Sequence, residues 1–251
     1  MDRCVTYIQG LDGLIGGGLP RNSITLITGM PGTGKTIMGL QYLYNGANKG
    51  ENGLYVTIES SAEALRLQAK SLGMDFYDLE KKGKVMIFGV PTGPQKYALF
   101  KLISDAAAKV KAKRIVFDNL ATLGMHLGKL LSMWTENMDF AKSMTSEQDR
   151  MAGIGMASLV YSVIEGLRQI DATSIIITSA SGEPGKMSND GVSEYLCDAV
   201  IQLFNTPIGI KYSRSLHISK MRRTDHSRFV HDFEITDKGV SVIPLKAVYN
   251  E

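Results

Sequence analysis

One stretch of the chain has the residue types and spacing of a phosphate-binding loop, GxxxxGK followed by Ser or Thr: Gly29-Met30-Pro31-Gly32-Thr33-Gly34-Lys35-Thr36. Its glycines let backbone N–H groups converge on phosphate oxygens at the start of a helix, whose dipole favours negative charge. Lys35 adds a positive charge near the β- and γ-phosphates. The motif predicts that the chain binds ATP and ADP, through Gly29, Met30, Pro31, Gly32, Thr33, Gly34, Lys35, Thr36 and Ile37.

A magnesium ion in such a loop needs a hydroxyl from the loop and a carboxylate from another strand. Thr36 supplies the hydroxyl. Asp118 ends the apolar run Arg114-Ile115-Val116-Phe117-Asp118, the only apolar run ending in Asp in the half of the chain after the loop. We therefore expect Thr36 and Asp118 to be the residues of a Mg²⁺ site.

Hydrolysis also needs a group that polarises the attacking water. Asn119 follows Asp118 at a position where some phosphate-loop enzymes carry a catalytic glutamate, so the base must lie elsewhere. Glu59 comes at the end of the predicted strand 53–58 and is the candidate. The alternative is an ordinary solvated glutamate at the end of a strand. Glu59 and Lys35 are thus the predicted catalytic residues of the loop itself.

Residues 208–231 form the one strongly basic tract and hold two further candidates, Lys220 and Arg222. Strand alternation places Ile218, Lys220 and Arg222 on one face, with His217, Ser219 and Met221 on the other. The two basic residues could act as positive charges on a neighbouring subunit's phosphates. From the residues alone, a solvated basic edge strand is the favoured interpretation.

The elements that must position these residues alternate along the chain. Short, nearly continuous apolar runs at 24–28, 53–58, 85–88, 115–117 and 174–178 predict parallel strands buried on both faces. Helical patterns follow at 36–48 and 95–111. After residue 199 the pattern changes to strands at 200–205, 208–221, 229–235 and 240–244. The predicted fold is α/β, a mostly parallel sheet flanked by helices and closed by an antiparallel extension.

Composition excludes several classes of protein. The 251 residues are 44% hydrophobic and 21% charged, which suits one globular domain over 1–251 and excludes disorder. The net charge of +3 is too small to imply nucleic-acid binding. No apolar run approaches the roughly 20 residues of a membrane helix, and no signal peptide is recognisable. We expect a cytoplasmic protein without a membrane segment.

Residues 124–153 interrupt the alternation of strands and helices. Six of the 13 methionines lie between 124 and 156, among polar side chains. We expect a mobile insertion there. Because methionine-rich surfaces adapt to different partners, this segment is also a candidate docking site for a protein.

Four motifs together resemble the KaiC-like ATPases, relatives of the circadian clock protein KaiC within the RecA superfamily. They are Gly10-Leu11-Asp12 with Gly16-Gly17-Gly18-Leu19-Pro20, the phosphate-binding loop, Glu59, and Lys220-Met221-Arg222-Arg223-Thr224-Asp225-His226. The resemblance runs nearly end to end. It implies a RecA-like core with Mg-dependent ATPase activity, a hexameric ring with ATP between subunits, and Lys220 and Arg222 reaching the neighbour's phosphates.

The chain also departs from that family. The family often has paired glutamates where this chain has Glu59-Ser60, so we expect slow turnover. Asn22 and Arg223 replace usual glycines, and the arginine could crowd or reinforce a subunit interface. The clock protein carries two tandem copies of the motifs and this chain carries one, so clock function and autophosphorylation are not implied.

Three functions remain open from the sequence. The favoured one is an oligomeric ATPase whose nucleotide state regulates a protein partner. A DNA recombination or repair protein is disfavoured, because 119–153 and 180–192, the segments that would face DNA, each carry more acidic than basic residues. The third is a nucleotide-binding scaffold with little hydrolysis, which Ser60 suggests.

Overall fold

A computed structural model describes residues 2–90, 99–122, 147–182 and 186–244, and of residues 147–155 the backbone alone. Over these ranges the strands are β1 (Arg3–Cys4), β2 (Leu19–Pro20), β3 (Ile24–Gly29), β4 (Gly53–Thr57), β5 (Val85–Gly89), β6 (Arg114–Asp118), β7 (Thr173–Ser179), β8 (Ala199–Ile208), β9 (Lys211–Met221), β10 (Val230–Thr236) and β11 (Gly239–Ile243). The helices are α1 (Leu11–Leu14), α2 (Lys35–Asn48), α3 (Ala62–Ser71), α4 (Phe76–Lys81), α5 (Leu99–Val110), α6 (Glu147–Arg168) and α7 (Ser193–Leu196).

The described strands form a large sheet with the order β11-β10-β9-β8-β3-β7-β6-β4-β5, and β1 pairs with β2 in a separate ribbon. The six strands from β8 to β5 in this order run parallel, whereas β9, β10 and β11 pair antiparallel. The parallel strands therefore all end at one edge of the sheet, which we call the carboxyl edge. This confirms the predicted mostly parallel sheet with a C-terminal antiparallel extension.

Both faces of the parallel strands are buried, which explains their continuous apolar runs. On β6, Val116 packs into a core cluster that contains Leu40 of α2. Its neighbours Ile115 and Phe117 point the other way, into a second cluster with Ile164 of α6. The alternation of a strand thus fills two cores at once, one on each face of the sheet.

Some predicted boundaries differ from the observed ones. Strand β4 ends at Thr57, so Glu59 lies two residues beyond the strand rather than at its end. The predicted break at 206–207 is absent, because β8 continues to Ile208 and turns into β9 at residues 209–210. The predicted helix 95–111 is described from Leu99 to Val110.

The predicted faces of β9 are partly wrong. A register shift between Val200 and Ile201 pairs Val200 with Lys220 but Ile201 with Ile218, so the alternation of β9 is broken around Ser219. Ile218 and Met221, expected on opposite faces, are therefore buried in the same core cluster. A β-bulge leaves no signature in this short sequence pattern, which is why strict alternation misplaced these residues.

The predicted insertion at 124–153 lies outside the described residues as far as 146. From Glu147 onward the backbone belongs to helix α6. Its methionine-rich character and its role in docking stay predictions, as does the single domain over 1–251. No helix in the described part of the chain is both long enough and apolar enough to cross a membrane.

Candidate nucleotide site

The phosphate-binding loop connects the end of β3 to the start of α2, as the motif predicts. Gly34 precedes the helix with a φ of +100°, a left-handed conformation that favours glycine. A Cβ there would also lie 2.8 Å from Cδ1 of Ile235 on β10. Glycine at this position therefore lets the loop both turn sharply and pack against the antiparallel extension.

Lys35 is folded back onto its own loop. Its Nζ donates hydrogen bonds to the backbone carbonyls of Gly29 at 2.7 Å and Met30 at 3.0 Å. Burial lowers the pKa of Lys35, and the negative charges of Asp118 and Glu59 oppose this shift. The ammonium group therefore lies within the electrostatic reach of both predicted carboxylates.

Thr36 and Asp118 meet although β3, the strand before the loop, is separated from β6 in the sheet by β7. The Thr36 hydroxyl donates to Oδ2 of Asp118 at 2.9 Å. The phenol of Tyr55, which the sequence did not single out, donates to the same oxygen at 2.6 Å. Burial raises the pKa of the 6% exposed Asp118, and the Tyr55 and Thr36 hydrogen bonds partly offset that rise.

Glu59 lies next to Asp118 and Asn119, because β4 and β6 are neighbours and Thr57 pairs with Asp118. The Asn119 side-chain amide donates to Oε2 of Glu59 at 2.5 Å, and the Thr122 hydroxyl donates to the same oxygen at 3.4 Å. The Thr122 backbone N–H in turn donates to Oδ1 of Asn119 at 2.8 Å. The candidate base is thus an exposed carboxylate with one oxygen held by two hydrogen-bond donors, and its role stays a prediction.

A cavity of about 400 Å³ opens beside the loop and brings together residues from four elements. Five predicted nucleotide residues line it: Gly32, Gly34, Lys35, Thr36 and Ile37. Gly29, Met30, Pro31 and Thr33 do not line it. The Thr33 hydroxyl instead donates to the Met30 carbonyl within the loop at 2.8 Å.

The rest of the cavity wall consists of Gln68 on α3, Arg214 on β9 and Ile235 on β10, which sequence reasoning missed as lining residues. Within the described chain, the Nε atom of Arg214 is buried and has no hydrogen-bond partner. Arg214 pairs with Asn205, just beyond the level at which β8 runs beside Gly29. The only signal for it in the sequence was membership of the basic tract.

Lys220 and Arg222 are not brought to this cavity. The Lys220 ammonium donates to the carbonyls of Glu194, Tyr195 and Cys197, which precede β8. Arg222 donates to the Tyr195 carbonyl at 3.2 Å, so the two basic side chains do point together as predicted. Both therefore lie toward the edge where the parallel strands begin, opposite the carboxyl edge.

The donor set at the carboxyl edge fits a hard divalent cation. The Thr36 hydroxyl and the Asp118 carboxylate are oxygen ligands of the kind that Mg²⁺ prefers. The described residues contain no group of three or more His, Cys, Asp or Glu side chains able to hold a metal ion by themselves. Because Mg²⁺ takes few protein ligands and usually shares phosphate oxygens, this sparse set suits a magnesium–nucleotide complex.

A phosphate-binding loop after β3, an aspartate at the end of β6 two positions away in the sheet, and a candidate glutamate just beyond β4 define a RecA-like member of the P-loop NTPases. The family model described as the ATPase of KaiC matches residues 4–154 and 138–247. The chain belongs to this KaiC-like ATPase family.

Known proteins agree with this assignment. A UPF0273 protein of Aeropyrum pernix is 32% identical over 99% of this chain and 96% of its own length. The circadian clock oscillator protein KaiC of Synechococcus elongatus is 30% identical over 97% of this chain, which spans 44% of that protein. The crystal structure of a KaiC-like protein from Pyrococcus horikoshii superimposes with a TM-score of 0.80 at 30% identity, covering 97% of this chain and 99% of that one.

Asn22 and Arg223, at the two positions where the family resemblance implies glycine, share an unusual backbone conformation. Asn22 and Arg223 have φ values of +57° and +56°, in the left-handed region that glycine adopts readily. Asparagine tolerates this conformation, and the Asn22 side chain also donates to Asp171 at 2.7 Å. Arg223 is exposed, and within the described residues its side chain makes no hydrogen bond comparable to that of Asn22.

Proposed function

We propose that this chain binds ATP with Mg²⁺ beside the phosphate-binding loop and hydrolyses it slowly. The proposal rests on the convergence of Lys35, Thr36, Asp118 and Glu59 at the carboxyl edge, next to a cavity of about 400 Å³. Lys35 would neutralise phosphate charge, and Thr36 with Asp118 would hold Mg²⁺. The metal, when bound, would supply further charge neutralisation at the phosphates.

The wall of Gln68, Arg214 and Ile235 supports a place for the rest of the nucleotide. Ile37 and Ile235 are apolar surfaces on which a flat base can pack, whereas Gln68 and Arg214 offer hydrogen-bond donors. We assign the base and sugar to this side of the cavity. The assignment makes Arg214 a binding residue of the same subunit as the loop.

Glu59 is suited to polarise water. Its Oε2 accepts hydrogen bonds from Asn119 and Thr122, while no described residue donates to Oε1. One carboxylate oxygen is thus held in place and the other is free to accept a proton from a water molecule. Asn119 would act as a positioning residue. Ser60 provides no second carboxylate, which is the reason to expect slow turnover.

Lys220 and Arg222 would act on a neighbouring subunit. Since they lie at the edge opposite their own loop, a role in phosphate chemistry requires a second copy of the chain. The location of these basic residues at the edge opposite the loop supports a homo-oligomer in which one subunit completes the site of the next. A hexameric ring is the arrangement that the family resemblance implies.

The nucleotide state would regulate a protein partner. The β8–β9 hairpin supports this part of the proposal, because it exposes apolar side chains just beyond Arg214. Ile208, Ile210 and Tyr212 are 64%, 100% and 69% exposed. A partner bound to this hairpin would lie close to Arg214, which lines the nucleotide cavity, and its affinity could therefore depend on the bound nucleotide.

The catalytic assignment is tested by phosphate release from the wild type and the Glu59→Gln variant. We expect the variant to be slower by about 10²- to 10⁴-fold, the range for loss of a general base. The control is Glu63→Gln, an exposed glutamate in the first turn of α3. Equal rates would remove Glu59 as the base, and background rates for both proteins would favour a nucleotide-binding scaffold.

The subunit-interface assignment is tested by mixing Glu59→Gln with Arg222→Ala protein. A mixed oligomer restores interfaces with an intact Glu59 and an intact Arg222, so the rate should exceed the mean of the two separate variants. Mixing Glu59→Gln with Arg228→Ala is the control for the exposed basic tract. A rate independent of both mixing and protein concentration contradicts action across an interface.

Regulation of a partner is tested by copurification from native cells under ATP and under ADP. We expect a protein that is recovered in one nucleotide state and lost when the exposed Ile210 is changed to Ser. Recovery of the same proteins in both states would contradict nucleotide-dependent regulation.

A further inference from the structure

We propose that Tyr55 is a positioning residue for magnesium: its phenol holds the Asp118 carboxylate in the orientation that binds the ion. This inference rests on the proposed magnesium site and adds a residue that belongs to neither the loop nor the aspartate strand. Its basis is the hydrogen bond of 2.6 Å from the Tyr55 hydroxyl to Oδ2 of Asp118.

The fold brings the phenol to the carboxyl edge from below α2. Tyr55 lies in the middle of β4, paired with Val116 of β6 and Ile87 of β5. Its ring is fully buried in the core cluster on the α2 side of the sheet. Gly39 of α2 makes room there, because a Cβ at that position would lie 3.0 Å from Val116 and 3.6 Å from the Tyr55 ring.

The hydrogen bond is not explained by the needs of the tyrosine alone. A buried phenol does need a partner, but burying a carboxylate costs more free energy than burying a phenol. If Asp118 served only as a hydrogen-bond acceptor for Tyr55, the free-energy cost of burying its carboxylate would exceed the gain from satisfying the phenol. The stronger reason for this pair is that the carboxylate is needed and the phenol steadies it.

The two hydroxyl donors are arranged on one side of the carboxylate. Thr36 and Tyr55 both donate to Oδ2, and no residue in the described ranges donates to Oδ1. Two donors on one oxygen restrict rotation of the carboxylate and leave the other oxygen free. A hydroxyl that binds a metal through its oxygen can still donate its proton, so the Thr36 contact is compatible with its own metal role.

Tyr55 differs from Thr36 because it is locked in place. Its side chain is fully buried in the core, whereas Thr36, in the first turn of α2, is only half-buried. Partners that orient a metal ligand in this way affect metal affinity by about 10- to 100-fold. Because the core holds the Tyr55 ring on all sides, the phenol is the more rigidly placed of the two donors.

The test uses Tyr55→Phe, which removes the hydroxyl with little change in volume. Tyr42→Phe is the matched control, because Tyr42 is also fully buried in the same cluster and its phenol donates to the Thr173 carbonyl at 3.0 Å. ADP binding is measured by calorimetry at a series of Mg²⁺ concentrations and in EDTA. Thermal unfolding of both variants is recorded alongside.

We expect Tyr55→Phe to raise the half-saturating Mg²⁺ concentration by about tenfold, with ADP affinity in EDTA unchanged. Tyr42→Phe should leave both quantities at wild-type values, although it also removes a buried hydrogen bond. Identical Mg²⁺ dependence in the two variants would overturn the role of Tyr55 while leaving the magnesium site intact. A wild type that binds ADP without any effect of Mg²⁺ would instead overturn the proposed magnesium site and Tyr55 with it.

A second measurement needs no substitution at Tyr55. Incorporation of 3-fluorotyrosine gives each tyrosine a ¹⁹F resonance, and Tyr42→Phe assigns the signal of Tyr42 by its loss. The expected result is a buried resonance other than that of Tyr42 which shifts when Mg²⁺ is added to the ADP-bound protein. No Mg²⁺-dependent shift of any buried tyrosine resonance would count against the proposal.

Discussion

Strand β6 carries a buried charged residue at each end, and the two residues differ in whether an opposite charge lies beside them. Arg114, at its first residue, is fully buried. Its guanidinium forms an ion pair with Glu51 at 2.5 Å, donates to the carbonyls of Tyr42 and Val5, and lies 4.6 Å above the centre of the Tyr42 ring. Because the protein itself supplies these contacts, the Arg114 guanidinium is not positioned to bind a ligand.

Asp118, at the last residue of β6, is 6% exposed and has no ion pair within 4 Å among the described residues. Two hydroxyl groups are its hydrogen-bond donors. A buried carboxylate without a counter-ion is unfavourable, so a bound cation would stabilise Asp118. At the other end of the strand, a cation would be repelled by the positive charge of Arg114. Under the proposed function, the same strand contributes to stability at one end and to metal binding at the other.

The largest expected effect on stability comes from removing the countercharge at the structural end. Glu51→Gln leaves the Arg114 guanidinium buried without its partner carboxylate, which should lower the free energy of unfolding by about 3 kcal/mol. Chemical denaturation followed by circular dichroism measures the change. A loss below about 1 kcal/mol would mean that the carbonyl contacts alone suffice for Arg114.

The same ion pair predicts a pH dependence. Burial raises the pKa of Glu51, but the hydrogen bonds and charges of Arg114 and Arg21 outweigh this and hold the pKa below its ordinary value of 4.5. The group therefore stabilises the fold above pH 4.5, and this contribution is lost as the pH falls through the lower folded-state pKa. Glu51→Gln should flatten that part of the stability curve, and an unchanged acid limb would contradict the assignment.

A much smaller loss is expected at the binding end. Asp118→Asn removes a charge that has no ion pair to break, so we expect stability to change by less than about 1 kcal/mol. Magnesium-dependent nucleotide binding should be lost in the same variant. Measuring both by denaturation and calorimetry separates the two ends of β6; a stability loss as large as that of Glu51→Gln would erase the contrast.

The sequence singled out residues that the structure brings together at the carboxyl edge, but not the residues that contact them. Lys35, Thr36 and Asp118 belong to contiguous motifs whose residues must be neighbours along the chain. Tyr55 and Arg214 were missed because their contacts depend on the packing of separate elements, and Tyr55 in an apolar run is typical of an ordinary core residue. The fold class followed from the alternation of short apolar runs with helical patterns.

Register was the weaker part of the prediction. The faces of β9 depended on strict alternation, which the shift at Val200 and Ile201 breaks. The meaning of the non-glycine residues Asn22 and Arg223 also required backbone angles, since sequence shows a departure but not a positive φ. Both the faces of β9 and the backbone angles at Asn22 and Arg223 are geometry that neighbouring strands and turns impose.

The smallest expected effect on stability concerns an exposed charge, Arg223, in contrast to the two buried charges of β6. Arg223 is exposed and has a left-handed backbone. Arg223→Gly should increase stability by about 0.5–1 kcal/mol, because relief of that strain exceeds the entropy that glycine adds to the unfolded chain. Thermal denaturation measures the gain. A decrease would show that the arginine side chain stabilises the turn.

The central claim is that the carboxyl edge holds a magnesium–nucleotide complex. Calorimetric titration of the wild type with ATP and with ADP, in millimolar Mg²⁺ and in EDTA, tests it most directly, with Lys35→Ala as the comparison. We predict saturable binding by the wild type that Mg²⁺ strengthens and that Lys35→Ala greatly weakens. No detectable binding of either nucleotide by the wild type in millimolar Mg²⁺ would contradict the claim.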